Sequence, residues 1–235
     1  MGFGLVQTVA PAAEPVSLAE AYEHCRADPG TEDGLITRLI RSARRYVETV
    51  LRRQLMTATW QLTLDTFYGQ DAVLGIAGQG WQSGPGRVSG ASWQGPGSWS
   101  SPDDWDLWPW WGGGVIRLAR PPLQAVLSVQ YVDGGGTLQT MPPADYQVDA
   151  AQTPGRIGPA HGKVWPVTRL QLAAITIMYR AGYGTADDVP DDIKEAMLLL
   201  ISHWECHRDA VGQVGQALDL AVASLVGANW AGDYG

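Results

Sequence analysis

The residues with the most evident capacity for chemistry are His203, Cys206 and His207, close together in the segment HWECH. Two histidines four positions apart on a helix face the same side and could hold a zinc ion. The order is not the HExxH of metalloproteases, because Glu205 falls one position late, and no other cysteine or histidine lies nearby in sequence. We therefore interpret them as ordinary polar or half-buried helix residues, and we expect no metal and no cofactor.

Two other patterns are too weak to predict catalysis. Asp103, Asp104 and Asp106 are neighbouring carboxylates, but paired carboxylates catalyse only when a rigid scaffold holds them, and these lie in an irregular segment. The glycine-rich stretch GQGWQSGPGRVSG lacks the Lys-Ser/Thr of a phosphate loop, and no GxSxG or CxxC is present. We expect no enzymatic activity.

Composition narrows the class of protein. With 235 residues, 45% hydrophobic, the chain can bury a core, and its net charge of −8 is unlike that of a free-standing duplex DNA binder. Cys25 and Cys206 are far apart, which favours reduced thiols over a disulfide. We expect no secretory signal and no membrane span, and we interpret residues 1–16 as a flexible arm.

Local patterns predict an α+β fold: a helical bundle of two N-terminal helices plus a C-terminal helix, a small antiparallel β portion and a long Trp/Gly-rich loop insertion. Ser17, with Glu20 at the capping-box position, predicts the first helix. Thr31 is expected to cap the second, which ends near Leu55, and Pro190 begins the third. Period-two alternation predicts strands around 57–67, 115–120, 123–132, 137–140, 146–148 and 170–181, with shorter extended pieces at 155–158 and 163–166.

The second helix carries six of the fourteen arginines in the chain. A solvated helix face explains such a charge run, and an acidic partner, either a neighbouring subunit or a nucleic acid, explains it equally well. The residues taken as candidate interface positions on this helix are Arg38, Arg41, Arg44, Arg45 and Arg52.

Residues 69–114 hold 12 glycines and 7 tryptophans, with few charges, and we interpret them as a long loop. Tryptophan anchors are common in protein interfaces, and aromatic platforms also stack on sugars. Three readings stay open: docking onto a partner, folding back over the chain's own sheet, or glycan binding. The candidate docking residues are Trp105, Trp108, Trp110 and Trp111.

Seven short motifs, in a fixed order, carry a resemblance to a known family. They are RPPL with SVQYVD, Y-x-VD with PGRI, AGYG with VP-x-x-I, and the helix end HW-x-x-x-R. Together they make residues 17–68 and 115–230 resemble the head–tail connector (adaptor) proteins of long-tailed bacteriophages and gene transfer agents. The long insertion is a departure from that family's pattern.

The resemblance implies a non-enzymatic virion protein, assembled in the bacterial cytoplasm and located at the head–tail junction. Such proteins form a ring, typically of twelve copies, under the capsid portal. They bind the portal and the tail-side connector and extend the DNA channel without reading sequence. Net negative charge would suit a channel along which DNA slides. The alternative function is a Trp-rich glycan-binding module on the virion.

The predicted organisation is therefore an arm at 1–16, an adaptor domain at 17–207 with the insertion 69–114, and a C-terminal tail at 208–235. Family resemblance implies that the tail, up to residue 230, reaches the portal. Its segment ALDLAVASLVGANW could form one short helix. The candidate interface residues of the tail are Leu218, Leu220, Leu225 and Trp230.

Overall fold

A computed structural model describes residues 3–27, 30, 32–67 and 114–207. These residues form a mixed α+β fold, as the sequence predicts. The described helices are α1 (Leu18–Cys25), α2 (Asp33–Leu51) and α3 (Asp191–Cys206). The described strands are β1 (Phe3–Val9), β2 (Ala58–Leu64), β3 (Ile116–Arg117), β4 (Leu123–Val132), β5 (Leu138–Thr140), β6 (Tyr146–Asp149), β7 (Arg156–Pro159) and β8 (Ile175–Ala181).

The three helices share one hydrophobic core. Helix α1 begins at the predicted capping box, in which the Ser17 hydroxyl accepts from the Glu20 amide and the Glu20 carboxylate accepts from the Ser17 amide. On α2 and α3, apolar residues recur every three or four positions, so each helix buries one face against the others. Helical spacing predicts that α3 buries a stripe of Ile193, Met197, Leu200, Ile201 and Trp204. The first four are buried, and Trp204 is half-buried against the same core.

The second helix is shorter than predicted. It ends at Leu51 because Arg52 adopts a left-handed backbone, with φ of 53° and ψ of 28°, which stops the hydrogen-bond ladder. Its N-cap is Glu32, whose side chain makes no capping bond, and the predicted cap Thr31 lies outside the described residues. The early end lets the chain turn at once into the sheet.

The β portion contains two antiparallel sheets that enclose a second core. The larger sheet has the strand order β1-β2-β8-β4-β5, and the smaller one has the order β3-β7-β6. Alternation in the sequence predicts that Ile175, Ile177 and Tyr179 of β8 point to one side. All three are fully buried, and they share this core with Ile116 of β3 and Ile157 of β7. Alternation identified the buried faces, but it could not reveal this division into two sheets, which depends on strand pairing.

The segment predicted as a flexible arm is a strand over Phe3–Val9, so that prediction is wrong for these residues. Strand β1 pairs antiparallel with β2, from Phe3 opposite Leu64 to Val9 opposite Thr59. Of its side chains, Leu5 packs against the core, and the others are exposed. Backbone hydrogen bonds hold β1 in place, and such bonds leave little trace in the hydrophobic pattern.

Candidate protein interface

Four of the five candidate arginines, Arg38, Arg41, Arg45 and Arg52, are exposed and are here called the arginine stripe. Arg38, Arg41 and Arg45 are spaced by three and four residues, so they lie along one face of α2, and Arg52 is the residue that caps the end of the helix. Thr49 completes the row, and its hydroxyl donates to the Arg45 carbonyl over 2.7 Å. The Arg41 guanidinium lies 4.0 Å from the carboxylate of Glu14.

Arg44 does not belong to this exposed face, which corrects its inclusion among the candidate interface residues. Its side chain is 9% exposed, and it lies between two carboxylates. The Arg44 Nε donates to Glu14 over 2.7 Å, and a terminal guanidinium nitrogen donates to Glu48 over 2.9 Å. Because its guanidinium is already paired with two carboxylates of the same chain, Arg44 is poorly placed to bind a partner protein.

The carboxylate of Glu48 is the centre of a hydrogen-bond network between the helices and the larger sheet. It accepts from the Gln54 side-chain amide over 2.6 Å and from the Leu55 backbone amide over 3.2 Å. Gln54 in turn accepts from the indole nitrogen of Trp60, on β2, over 3.1 Å. The Arg120 guanidinium lies 5.5 Å from the centre of the Trp60 ring and donates to the Glu48 carbonyl over 2.8 Å.

Burial and neighbouring charges shift the pKa values of Glu48 and Arg44 in opposite directions. Burial raises the pKa of the Glu48 carboxyl, while the positive charge of Arg44 opposes that rise. Burial would also lower the pKa of Arg44, but hydrogen bonds and charge from Glu14 and Glu48 outweigh it and raise that pKa. Arg44 therefore stays charged, and the network links α2 to the larger sheet through Gln54 and Trp60.

The described residues on either side of the insertion, Phe67 and Gly114, both contact Trp165. The Phe67 ring stacks on the Trp165 ring with centroids 4.5 Å apart and planes 3° apart. The Trp165 indole donates to the Gly114 carbonyl over 2.6 Å. The candidate docking residues Trp105, Trp108, Trp110 and Trp111 lie outside the described residues. Phe67 and Gly114, the described residues on either side of that segment, both contact one buried side chain, Trp165.

A group of exposed apolar side chains surrounds Trp165 in sequence. They are Val164, Val167, Leu170 and Leu172, and Leu172 is 84% exposed. Sequence reasoning assigned part of this stretch to short extended pieces and missed the group. The sequence predicts a strand over 170–181 that includes Leu170 and Leu172, but β8 begins at Ile175, so both leucines lie before the strand and outside its buried face.

The described residues hold no group of three or more His, Cys, Asp or Glu placed to bind a metal ion. The rings of His203 and His207 stack with centroids 4.4 Å apart, and the His207 Nδ1 lies 3.0 Å from the His203 carbonyl. Cys206 Sγ donates to Glu205 over 3.4 Å. Within the same part of the chain, no helix combines the length and apolar character needed to cross a membrane. The tail candidates Leu218, Leu220, Leu225 and Trp230 lie outside the described residues.

This fold occurs in solved structures of virus-like particles. One similar chain is in the "Neck of empty GTA particle computed with C6 symmetry", with a TM-score of 0.65 and 18% identity over 98% of this chain and 96% of that chain. A second is in the "Virion of native gene transfer agent (GTA) particle", with a TM-score of 0.63 and 18% identity over 94% and 93%. A third is in the "Neck of native GTA particle computed with C12 symmetry", with a TM-score of 0.62 and 18% identity over 99% and 97%.

No protein-family model matches the sequence, and no curated protein matches it. At 18% identity, the likeness to the neck chains establishes a common fold over nearly the full length of both chains. Function has to be argued from that fold together with the surfaces described above.

Proposed function

We propose that this protein is a structural subunit of a particle neck, an adaptor that forms a ring under the capsid portal. The observation that carries the proposal is the fold, shared over nearly the whole chain with chains from gene transfer agent necks. The similarity extends over 96–99% of both chains, so it includes the helices and both sheets. On this proposal the protein acts by assembly and needs no cofactor.

The ring has twelve copies and binds the portal on one side and the tail-side connector on the other. A related fold in a neck computed with C12 symmetry supports that number. The DNA passes through the ring without sequence-specific contacts, which agrees with a net charge of −8. The protein then resides at the head–tail junction of the virion after assembly in the host cytoplasm.

Three surfaces are available for these contacts. The arginine stripe faces a neighbouring copy, the Trp-rich insertion docks on another component of the particle, and the tail after residue 207 reaches the portal. For a ring subunit, two different surfaces must meet between neighbours, because a head-to-tail contact closes by rotation. The exposed position of the stripe meets this requirement for one of the two surfaces.

The test is the mass of the purified full-length protein by light scattering, alone and with purified portal ring. We expect a small species alone and a stoichiometric ring when the portal is present. A protein whose mass is unchanged by the portal, and whose tryptophan fluorescence is quenched by oligosaccharides, would overturn the adaptor role in favour of glycan binding. Bovine serum albumin in place of the portal controls for crowding.

A further inference from the structure

The surface that would receive the arginine stripe is present on the chain itself. Three carboxylates are exposed at the start of α3 and just before it: Asp187, Asp191 and Glu195. The Asp191 side chain is fully exposed, with a single weak contact to Lys194 at 3.9 Å. We call these three residues the acidic row.

Neighbouring carboxylates in the same segment already have structural roles. Asp188 accepts from the backbone amide and the hydroxyl of Thr185, closing a capping box over 2.8 Å and 2.7 Å. Asp192 accepts from the Ile193 amide over 2.9 Å. The acidic row therefore consists of exposed carboxylates around the start of α3 that take no part in these capping bonds.

The stripe and the row point away from each other across one core. Val47 of α2 and Ile193 of α3 are both fully buried in the helical core. Arg45 lies two residues before Val47, and Glu195 lies two residues after Ile193. Two residues turn an α-helix by about 200°, so each charged side chain is directed away from that shared core. Positive and negative surfaces thus lie on different sides of one subunit.

We infer that the arginine stripe of one copy binds the acidic row of the next copy around a ring. This inference rests on the proposed ring and names its contact. Opposite charges on different sides of a subunit cannot neutralise each other within it, but they meet when copies are arranged head to tail.

Nucleic acid is the other acidic partner that could meet the stripe. Four arginines beside an otherwise acidic surface are a weak electrostatic site for duplex DNA, whose binding depends on neutralising many phosphates. A second copy supplies carboxylates at matched spacing, since Asp191 and Glu195, four residues apart, repeat the spacing of Arg41 and Arg45. The observations therefore favour a protein partner.

Charge reversal tests the contact in the full-length protein assembled on portal ring and measured by native mass spectrometry. We expect Arg38→Glu with Arg45→Glu to lower the fraction in rings by about tenfold or more, and Asp191→Lys with Glu195→Lys to do the same. All four changes together should restore rings, because every contact then regains opposite charges. Raising the salt concentration should weaken the wild-type ring, since exposed charges are screened beyond about 10 Å at 0.1 M.

The matched control is Arg169→Glu with Arg180→Glu, which reverses two exposed arginines of the β portion. Circular dichroism must show each variant folded, and a conservative pair, Arg38→Lys with Arg45→Lys, should retain rings. Rings that survive either reversal, a loss without rescue by the fourfold variant, or an equal loss in the control would overturn this contact. Intact rings with altered DNA passage would assign the stripe to the channel instead. Wild-type protein that never forms rings would overturn the proposed function itself.

Discussion

At the scale of single residues, Arg44 has the largest predicted effect on stability. Arg44→Ala leaves the Glu48 carboxylate buried without its cation, and breaking a buried pair in this way costs about 3–5 kcal/mol. Arg45→Ala, one position along on the exposed face, should change the free energy of unfolding by less than about 0.5 kcal/mol. Urea unfolding followed by circular dichroism measures both, and similar losses in the two variants would contradict the role given to the network.

Asp133 should make the β4–β5 hairpin sensitive to acid. Its carboxylate accepts from the side chain of Gln139 and from the backbone amides of Thr137 and Gly135, and these hydrogen bonds lower its pKa. A lowered folded-state pKa means that the stabilisation is complete above the unfolded value, about 3.9, and is lost as pH falls through the folded value.

The measurement is amide hydrogen exchange at Gly135 and Thr137 as a function of pH, after correction for intrinsic exchange. Protection should fall at acidic pH in the wild type. In Asp133→Asn it should be lower at neutral pH and should lose that acid step, because the amide cannot titrate. A wild-type profile that stays flat down to pH 2 would be inconsistent with this account.

At the scale of elements, the join between β8 and the helices depends on Gly182. Its φ is 127°, and a Cβ added there would lie 2.6 Å from the backbone of Met56. Gly182→Ala should therefore destabilise the fold by about 1–3 kcal/mol, because both the conformation and the close approach are lost. Gly134→Ala, where an added Cβ meets nothing within 4 Å, is the control. In thermal melts, the Tm of Gly182→Ala should be clearly lower than that of Gly134→Ala.

The elements predicted from sequence are those whose signals are local. The Ser17 capping box, the apolar stripe of α3 and the alternation of β8 depend on neighbouring residues, and all three are confirmed. The pairing of β1 with β2 and the separation of two sheets depend on distant backbone contacts, which the pattern does not contain. Arg44 is among the predicted interface residues, but it pairs with Glu48, four positions later on α2, inside the subunit.

At the scale of the whole molecule, the insertion can be tested apart from the fold. Phe67 and Gly114 both contact Trp165, so deleting residues 75–112 should leave the two cores intact. We expect the shortened protein to melt within a few degrees of the wild type but to fail in particle assembly. Normal rings and complete particles, counted by electron microscopy, would disprove docking by the insertion. A deletion that unfolds the protein would indicate instead that the segment packs on its own sheet.

Phe67 and Gly114, on either side of the insertion, both contact Trp165. The fold therefore does not require an unbroken backbone between these two residues. A cut between residues 68 and 113 would leave one fragment with β1, β2, α1 and α2, and another with the remaining strands and α3. Neither fragment contains a complete core. In the larger sheet, β2 of the first fragment pairs with β8 of the second, and in the bundle, α2 of the first packs with α3 of the second. The two pieces, expressed as separate chains, should therefore find each other and reconstitute the protein, each serving as the folding template of the other.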